Sequence, residues 1–228
     1  MLLPGLAGAP TEFGAQAEHF GADRPVYALA PLTDGDLSID GQADQFADLA
    51  AQQGIERCVV LGHSHGGLVA LSLAVRRPDL VAGVILLDTP VMLPPPIRLL
   101  VRLPLAVLRT PLWTRALRAF FTATFTDKDT PGWRAEVMAR LARVPRPVAR
   151  AVVTGTFTYD SSAALRVLTV PVMCVRANIP VRLERLPAAV ERGEILGVGH
   201  WPHVHAQDDT NALIDKFLVG LPDSTDEE

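Results

Sequence analysis

The sequence predicts an α/β protein: a mostly parallel sheet, short on its N-terminal side, with helices on both faces and a helical insertion. Three observations carry that prediction. Short, wholly apolar runs alternate with segments of helical spacing, the pattern of strands buried on both faces. The stretch VVLGHSHGGLVAL, residues 59–71, runs an apolar strand through glycines and a serine into a helix. Residues 91–165 break the rhythm, with several amphipathic helical patterns and no convincing strand.

Taken in order, the predicted strands are residues 25–30 (PVYALA), 57–62, 81–87, 170–175 and 194–198. Helical spacing covers 39–52, 67–76 and 210–218. Residues 1–90 and 166–222 thus form the core and 91–165 the insertion, with helical patterns at 97–108, 112–125 and 133–141. An insertion of this size between two strands is commonly a lid, and its Leu, Phe and Trp residues are candidates to line a pocket. For most of them packing on the sheet is the plainer expectation, and a homodimer interface is the alternative for any apolar face left over. The tail 223–228 (DSTDEE) reads as an acidic, solvated end.

Bulk properties exclude several classes. The chain has 228 residues, 49% hydrophobic and 20% charged, which is a globular composition with enough length for a substantial core. A net charge of −4 without a basic cluster gives no reason to expect a nucleic-acid partner. Arg98, Arg102, Arg109 and Arg115 interrupt the apolar stretch 94–117, so no membrane span is expected. The start MLLPGLAGAP lacks a basic region, and Pro4 and Pro10 break it, so no signal peptide is expected. Cys58 and Cys174 fall on predicted strands with one strand between them. Two strand spacings of about 4.8 Å are too long for a disulfide. They read as buried thiols of a reducing compartment, hence a cytoplasmic protein.

Gly62-His63-Ser64-His65-Gly66 fits G-x-S-x-G, and it sits after a strand and before a helix, the context that motif needs. The tight turn strains the serine, so the positions two before and two after must be small. The following helix aims free N–H groups at the serine, where they favour a developing oxyanion.

At this point the chain resembles the α/β-hydrolase superfamily, through GHSHGG, GVILLDTP and GVGHWPH. The resemblance implies an α/β-hydrolase fold with Ser64 as nucleophile and the His65 backbone N–H as one oxyanion donor. It places the second donor at Leu6, in Leu3-Pro4-Gly5-Leu6, where the family more often has His-Gly. The chain begins close to that loop, so a shortened sheet of about six strands is expected. His200 stands where the family keeps its catalytic histidine, after the last strand. Its competitors His203 and His205 are expected at the start of the last helix or on its exposed face.

The acid is less direct. The loop that usually supplies it reads Arg176-Ala177-Asn178-Ile179-Pro180, without a carboxylate, and Glu184 is expected beyond it. Asp88, at the end of the strand after the nucleophile helix, is the favoured acid, with Asn178 as the alternative partner of His200. An acid in that position resembles the thioesterase domains of polyketide and nonribosomal peptide assembly lines, to which RPVYALAPL is also similar. It also resembles the cofactor-free quinolone dioxygenases, which carry His-Ser-His at the elbow.

Three readings therefore stand. The first is a serine hydrolase cleaving a carboxylic ester or thioester through an acyl-enzyme on Ser64. The second is a cofactor-independent dioxygenase or lyase driven by a His200–Asp88 dyad. The third is a catalytically silent binding member of the fold, favoured if Asn178 rather than Asp88 faces His200. None needs a cofactor or metal, and HWPHVH alone is a weak ligand pattern. The expected partner is a small molecule with an apolar acyl or ring group, and His63, Trp201, Trp113 and Phe121 are its candidate pocket residues. His63 and His65 are expected to be incidental to the chemistry.

Overall fold

The computed structural model describes residues 1–93 and 110–222, so the predicted helix at 97–108 and the acidic tail lie outside the described residues. Five parallel strands form one sheet in chain order: β1 (Leu2–Leu3), β2 (Cys58–His63), β3 (Val81–Leu87), β4 (Val172–Arg176) and β5 (Val190–Glu194). Helices α1 (Gly14–Gly21), α2 (Ile39–Gln52) and α3 (His65–Arg76) precede β3. Between β3 and β4 come α4 (Trp113–Thr122), α5 (Pro131–Leu141), α6 (Arg146–Thr158) and α7 (Ser161–Val167). A short α8 (Pro202–His205) and the long α9 (Gln207–Val219) follow β5.

Strand alternation divides the core into two layers. Val60, Val84, Leu86, Val172 and Cys174 pack beneath α2 and α3 with Ala43, Phe46 and Leu71. Their neighbours Leu61, Ile85, Leu87, Met173 and Val175 face the other way, against Phe13, Phe20, Ile214 and Phe217. The strands are apolar throughout because helices cover both faces. Helix α2 has the predicted bounds. Ser38 caps it by accepting the Gly41 N–H at 3.0 Å, and Ile39, Ala43, Phe46, Ala47 and Ala50 make its buried stripe. A third cluster, with Leu117, Phe121, Val137, Leu141, Ala149 and Val153, joins the insertion helices to Trp201. Among the described residues no helix is long and apolar enough to cross a membrane. Cys58 on β2 and Cys174 on β4 are free thiols with β3 between them.

Two predicted strands need correction. PVYALA makes a single parallel bridge, Ala28 to Leu2, flanked by Leu2 N–H to Tyr27 O at 2.8 Å and Leu29 N–H to Leu2 O at 3.0 Å. Strand β1 offers only two residues to pair with, so the ladder stops there and five strands replace the expected six. The last strand is Val190–Glu194 rather than 194–198. It is a sheet edge, buried at Val190 and Gly193 but exposed at Glu191, Arg192 and Glu194. The apolar run misled because it is interrupted: Ile195 and Val198 pack on the core, but Leu196 is 77% exposed and Gly197 breaks the strand at φ 76°.

Register is what positions the site. His63 pairs with Leu87, and Leu87 with Val175, so β2, β3 and β4 end level at one edge of the sheet. The next residues, Ser64 and Asp88, leave that edge side by side. Each is pinned by its neighbour strand, Ser64 N–H to Leu87 O at 3.0 Å and Asp88 N–H to Val175 O at 2.8 Å.

Candidate active site

Ser64 sits between β2 and α3 with φ 54° and ψ −120°, backbone space that a side-chain-bearing residue rarely occupies. The glycines around it answer to packing. A Cβ on Gly62 would lie 2.2 Å from Gly66 O, and one on Gly66 would lie 2.3 Å from Leu3 O. Both obstacles are backbone and cannot give way. Gly5 crosses directly over the serine, where a Cβ would come 3.0 Å from Ser64 Cβ. The loop turns back through a Gly8 N–H to Gly5 O bond of 3.0 Å.

Asp88 is fully buried, also at positive φ, 42°. Its Oδ2 meets His200 Nδ1 at 2.7 Å. Its Oδ1 accepts three backbone N–H groups, from Ala177 at 2.8 Å, Asn178 at 2.9 Å and Ile179 at 3.0 Å. Burial pushes this carboxyl up, but the His200 hydrogen bond and charge and the backbone donors together outweigh it and hold Asp88 below the ordinary carboxylate range. The loop that lacks an acid thus serves as an anion nest for the acid of the next strand. Asn178 turns away from His200, donating Nδ2–H to Thr124 O at 2.9 Å, and Glu184 lies beyond the loop in a 3₁₀ turn, Leu183–Arg185.

A carboxylate only accepts, so the His200 proton sits on Nδ1 and the Nε2 lone pair is left for chemistry. Ser64 and His200 line one cavity of about 190 Å³ with Leu6 and His65. The two side chains make no direct hydrogen bond with each other there. The remaining wall is mainly apolar, including Phe120, Phe121, Val152, Val153, Phe157 and Trp201. Trp113 is not part of that wall. It packs on the third cluster beneath the Arg146 guanidinium, 6.0 Å from its ring centre, because α4 turns Phe120 and Phe121 to the cavity instead.

The flanking histidines, expected to be incidental to the chemistry, both line the cavity, and protein groups hold both rings. His63 is 2% exposed and donates Nε2–H to His200 O at 2.6 Å. Burial, with the His203 and His200 rings nearby, keeps it neutral, its pKa well below the usual range. His65 Nε2 accepts from Gln42 Nε2 at 3.0 Å, and its Nδ1–H reaches Thr156 Oγ1 at 2.8 Å. That bond ties α3 to α6 across the cavity, and burial pushes His65 down to about 4. His203 and His205 also differ from expectation: they lie on α8, ahead of the last helix, and His203 is completely buried, stacked on Phe13 at 4.8 Å.

Sequence reading missed two carboxylates. Asp129, between α4 and α5, is buried against the histidine loop; a Cβ on Gly199 would lie 2.4 Å from its Oδ2. Its Oδ1 stands 3.1 Å from His205 Nε2, near enough for an ion pair but not aligned as a hydrogen bond. Glu12 is buried beneath the Pro4–Gly8 loop and held by Arg140 of α5 at 2.5 Å. No motif announces either, since their partners lie far away in sequence.

A parallel sheet whose level strand ends present an elbow serine, a buried Asp–His pair and a glycine-bearing loop defines a hydrolase-like α/β class. The family comparison agrees: the model of the alpha/beta hydrolase family matches residues 1–213, and the chain belongs to that family. Among curated relatives it is similar to Lipase LipV of Mycobacterium tuberculosis, 39% identical over 111 residues, covering 47% of this chain and 42% of the lipase. It is also similar to mouse sn-1-specific diacylglycerol lipase ABHD11, 32% identical over 96 residues, covering 39% of this chain and 31% of that protein. The aligned parts thus span less than half of either relative. Among solved structures, a hydrolase from Oleispira antarctica superposes with a TM-score of 0.81 at 12% identity, covering 96% of this chain and 90% of that one. An esterase from Thermogutta terrifontis gives 0.75 at 20% identity, covering 96% and 88%. At these identities the superpositions speak for the fold alone.

Proposed function

We propose that this chain is a serine hydrolase that cleaves a carboxylic ester or thioester with an apolar acyl group. The observation that carries the reading is the buried Asp88–His200 bond of 2.7 Å, with Ser64 in its strained turn on the same cavity. Ser64 Oγ attacks the carbonyl carbon while His200 Nε2 takes its proton. Asp88 fixes the donating tautomer and stabilises the imidazolium. Backbone N–H groups of Leu6 and His65 hold the oxyanion. The proton then passes to the departing alcohol or thiol, leaving an acyl-enzyme on Ser64. Water, activated by the same imidazole, attacks that ester and frees the acid.

Among the described residues of the insertion, helices α4 and α6 act as a lid in this reading, since Phe121, Val153 and Phe157 close the cavity over the serine. The lipase names of the partial relatives agree with an apolar acyl group. The resemblance to the cofactor-free dioxygenases rests on the His63-Ser64-His65 elbow, and here protein groups hold both of those rings.

Turnover of p-nitrophenyl esters of graded acyl length tests the proposal. Activity lost in Ser64→Ala and His200→Ala, with a preference for apolar acyl groups, is the expected result. Oxygen uptake with a heteroaromatic substrate and no ester turnover would contradict it.

A further inference from the structure

A second set of buried polar groups lies behind His200, beneath the loop that bears Gly5 and Gly8. Glu12, His63 and His203 each offer an atom there, and these atoms lie within 4.8 Å of one another. Glu12 Oε2, His63 Nδ1 and both nitrogens of His203 have no direct hydrogen-bond partner, although all three residues are buried. A Cβ on Gly8 would lie 3.1 Å from Glu12 Oε2, and one on Gly5 would lie 3.5 Å from His63 Nδ1. The oxyanion loop is therefore the roof of this cluster.

Spacing decides what joins them. Glu12 Oε2 is 4.0 Å from His203 Nε2, too far for a direct hydrogen bond. Zinc ligands at ~2.1 Å in a tetrahedron stand about 3.4 Å apart, tighter than this set. Partners of one water, bonded at ~2.8 Å in tetrahedral directions, stand about 4.6 Å apart, which fits. The donor count fits for the three atoms that face the water. His63 spends its Nε2–H on His200 O, so its Nδ1 is a bare acceptor. One water can donate to Glu12 Oε2 and His63 Nδ1 and accept the N–H of neutral His203, whose burial pushes it down to about 3.

We propose that His63 is a positioning residue for His200, held in its donating tautomer by a buried relay of one water, Glu12 and His203. The relay starts in the helical insertion, because Arg140 of α5 grips Glu12 Oε1 at 2.5 Å. It is anchored at its other end by Gln16, which donates to His203 O at 3.3 Å. Asp88 orients the His200 ring through Nδ1, and His63 fixes the backbone that carries the ring through the His200 carbonyl. The inference rests on the serine-hydrolase reading, which it deepens.

The test is a substitution series at His63, assayed with p-nitrophenyl butyrate and with a fluorophosphonate. Gln places an amide N–H where His63 Nε2 stands, Asn places its amide where Nδ1 stands, and Leu fills the space with neither. The relay predicts that His63→Gln keeps kcat within about tenfold of wild type, while His63→Asn and His63→Leu each lose about a hundredfold. KM stays within about twofold throughout, and phosphonate labelling follows kcat. A purely space-filling role would instead make Gln and Leu alike, and that result overturns the proposal. His203→Phe keeps the stack on Phe13 but breaks the relay; a folded His203→Phe enzyme with wild-type kcat overturns it too. Nitrogen-15 NMR of the wild type needs no variant: His63 protonated on Nε2 and bare on Nδ1 supports the relay, and the opposite tautomer refutes it. A wild type that neither turns over ester nor labels fails the hydrolase reading itself, and the relay with it.

Discussion

Asp88 and Glu12 are both buried carboxylates within reach of the histidines around Ser64, and their surroundings push them in opposite directions. Asp88 has three backbone N–H groups and the His200 imidazole, and it stays below the ordinary range. Glu12 has Arg140 on one oxygen and no direct partner on the other; burial pushes it up to about 7, against the pull of Arg140. Burial costs both a great deal, and the number of donors decides which stays charged. The fully paired carboxylate can stabilise an imidazolium at neutral pH. The partly paired one titrates near pH 7.

The largest effect that would break this contrast is at Asp88. Asp88→Asn turns an N–H₂ toward His200 Nδ1, so the imidazole must carry its proton on Nε2, where it cannot take one from Ser64. Steady-state kinetics should show kcat lower by about 10³–10⁴-fold in a protein that still folds. A loss below tenfold would move Asp88 to a structural role.

Next is Arg140, the one strong partner of Glu12. Arg140→Met strands a buried carboxylate and should cost about 2 kcal/mol in urea unfolding at pH 8, discounted because the guanidinium meets some solvent. At pH 5 Glu12 is protonated, and the loss should shrink. An equal loss at both pH values would mean that the pair is not electrostatic.

The smallest effect is a slope. Glu12 has a folded pKa of about 7 against an ordinary 4.5, so between those values the folded chain keeps a proton that the unfolded chain has released. Stability therefore falls as pH rises through that window and levels off above it. Glu12→Gln removes the term. Thermal melts from pH 4.5 to 8 should show the variant gaining on wild type with each step up in pH, by less than about 1.4 kcal/mol per pH unit. Parallel curves would contradict the raised pKa.

The two carboxylates also differ in how far the sequence disclosed them. Asp88 was legible because it closes an apolar strand next to the serine's own, and because the loop of Asn178 lacked a competitor. The nest that holds it was not legible, since backbone N–H groups leave no mark in a sequence. Glu12 and His203 carry no local signal; 191 residues of chain separate partners that the fold brings within 4.0 Å. Elements followed the same rule. Helix α2 announces itself with a serine cap and a clean apolar stripe, whereas α6 hides behind Val152, Val153, Thr154, Gly155 and Thr156, residues of modest helix propensity that tertiary packing overrides. Strand β5 hides because an edge strand can afford Glu191, Arg192 and Glu194.

The most direct test of the account is intact-mass labelling with a fluorophosphonate on wild type, Ser64→Ala and Asp88→Asn. A single adduct on wild type, absent from Ser64→Ala and slowed at least a hundredfold in Asp88→Asn, is what the geometry predicts. A folded wild type that takes up no label, or an Asp88→Asn protein that labels at the wild-type rate, would contradict the claim that Asp88 and His200 activate Ser64.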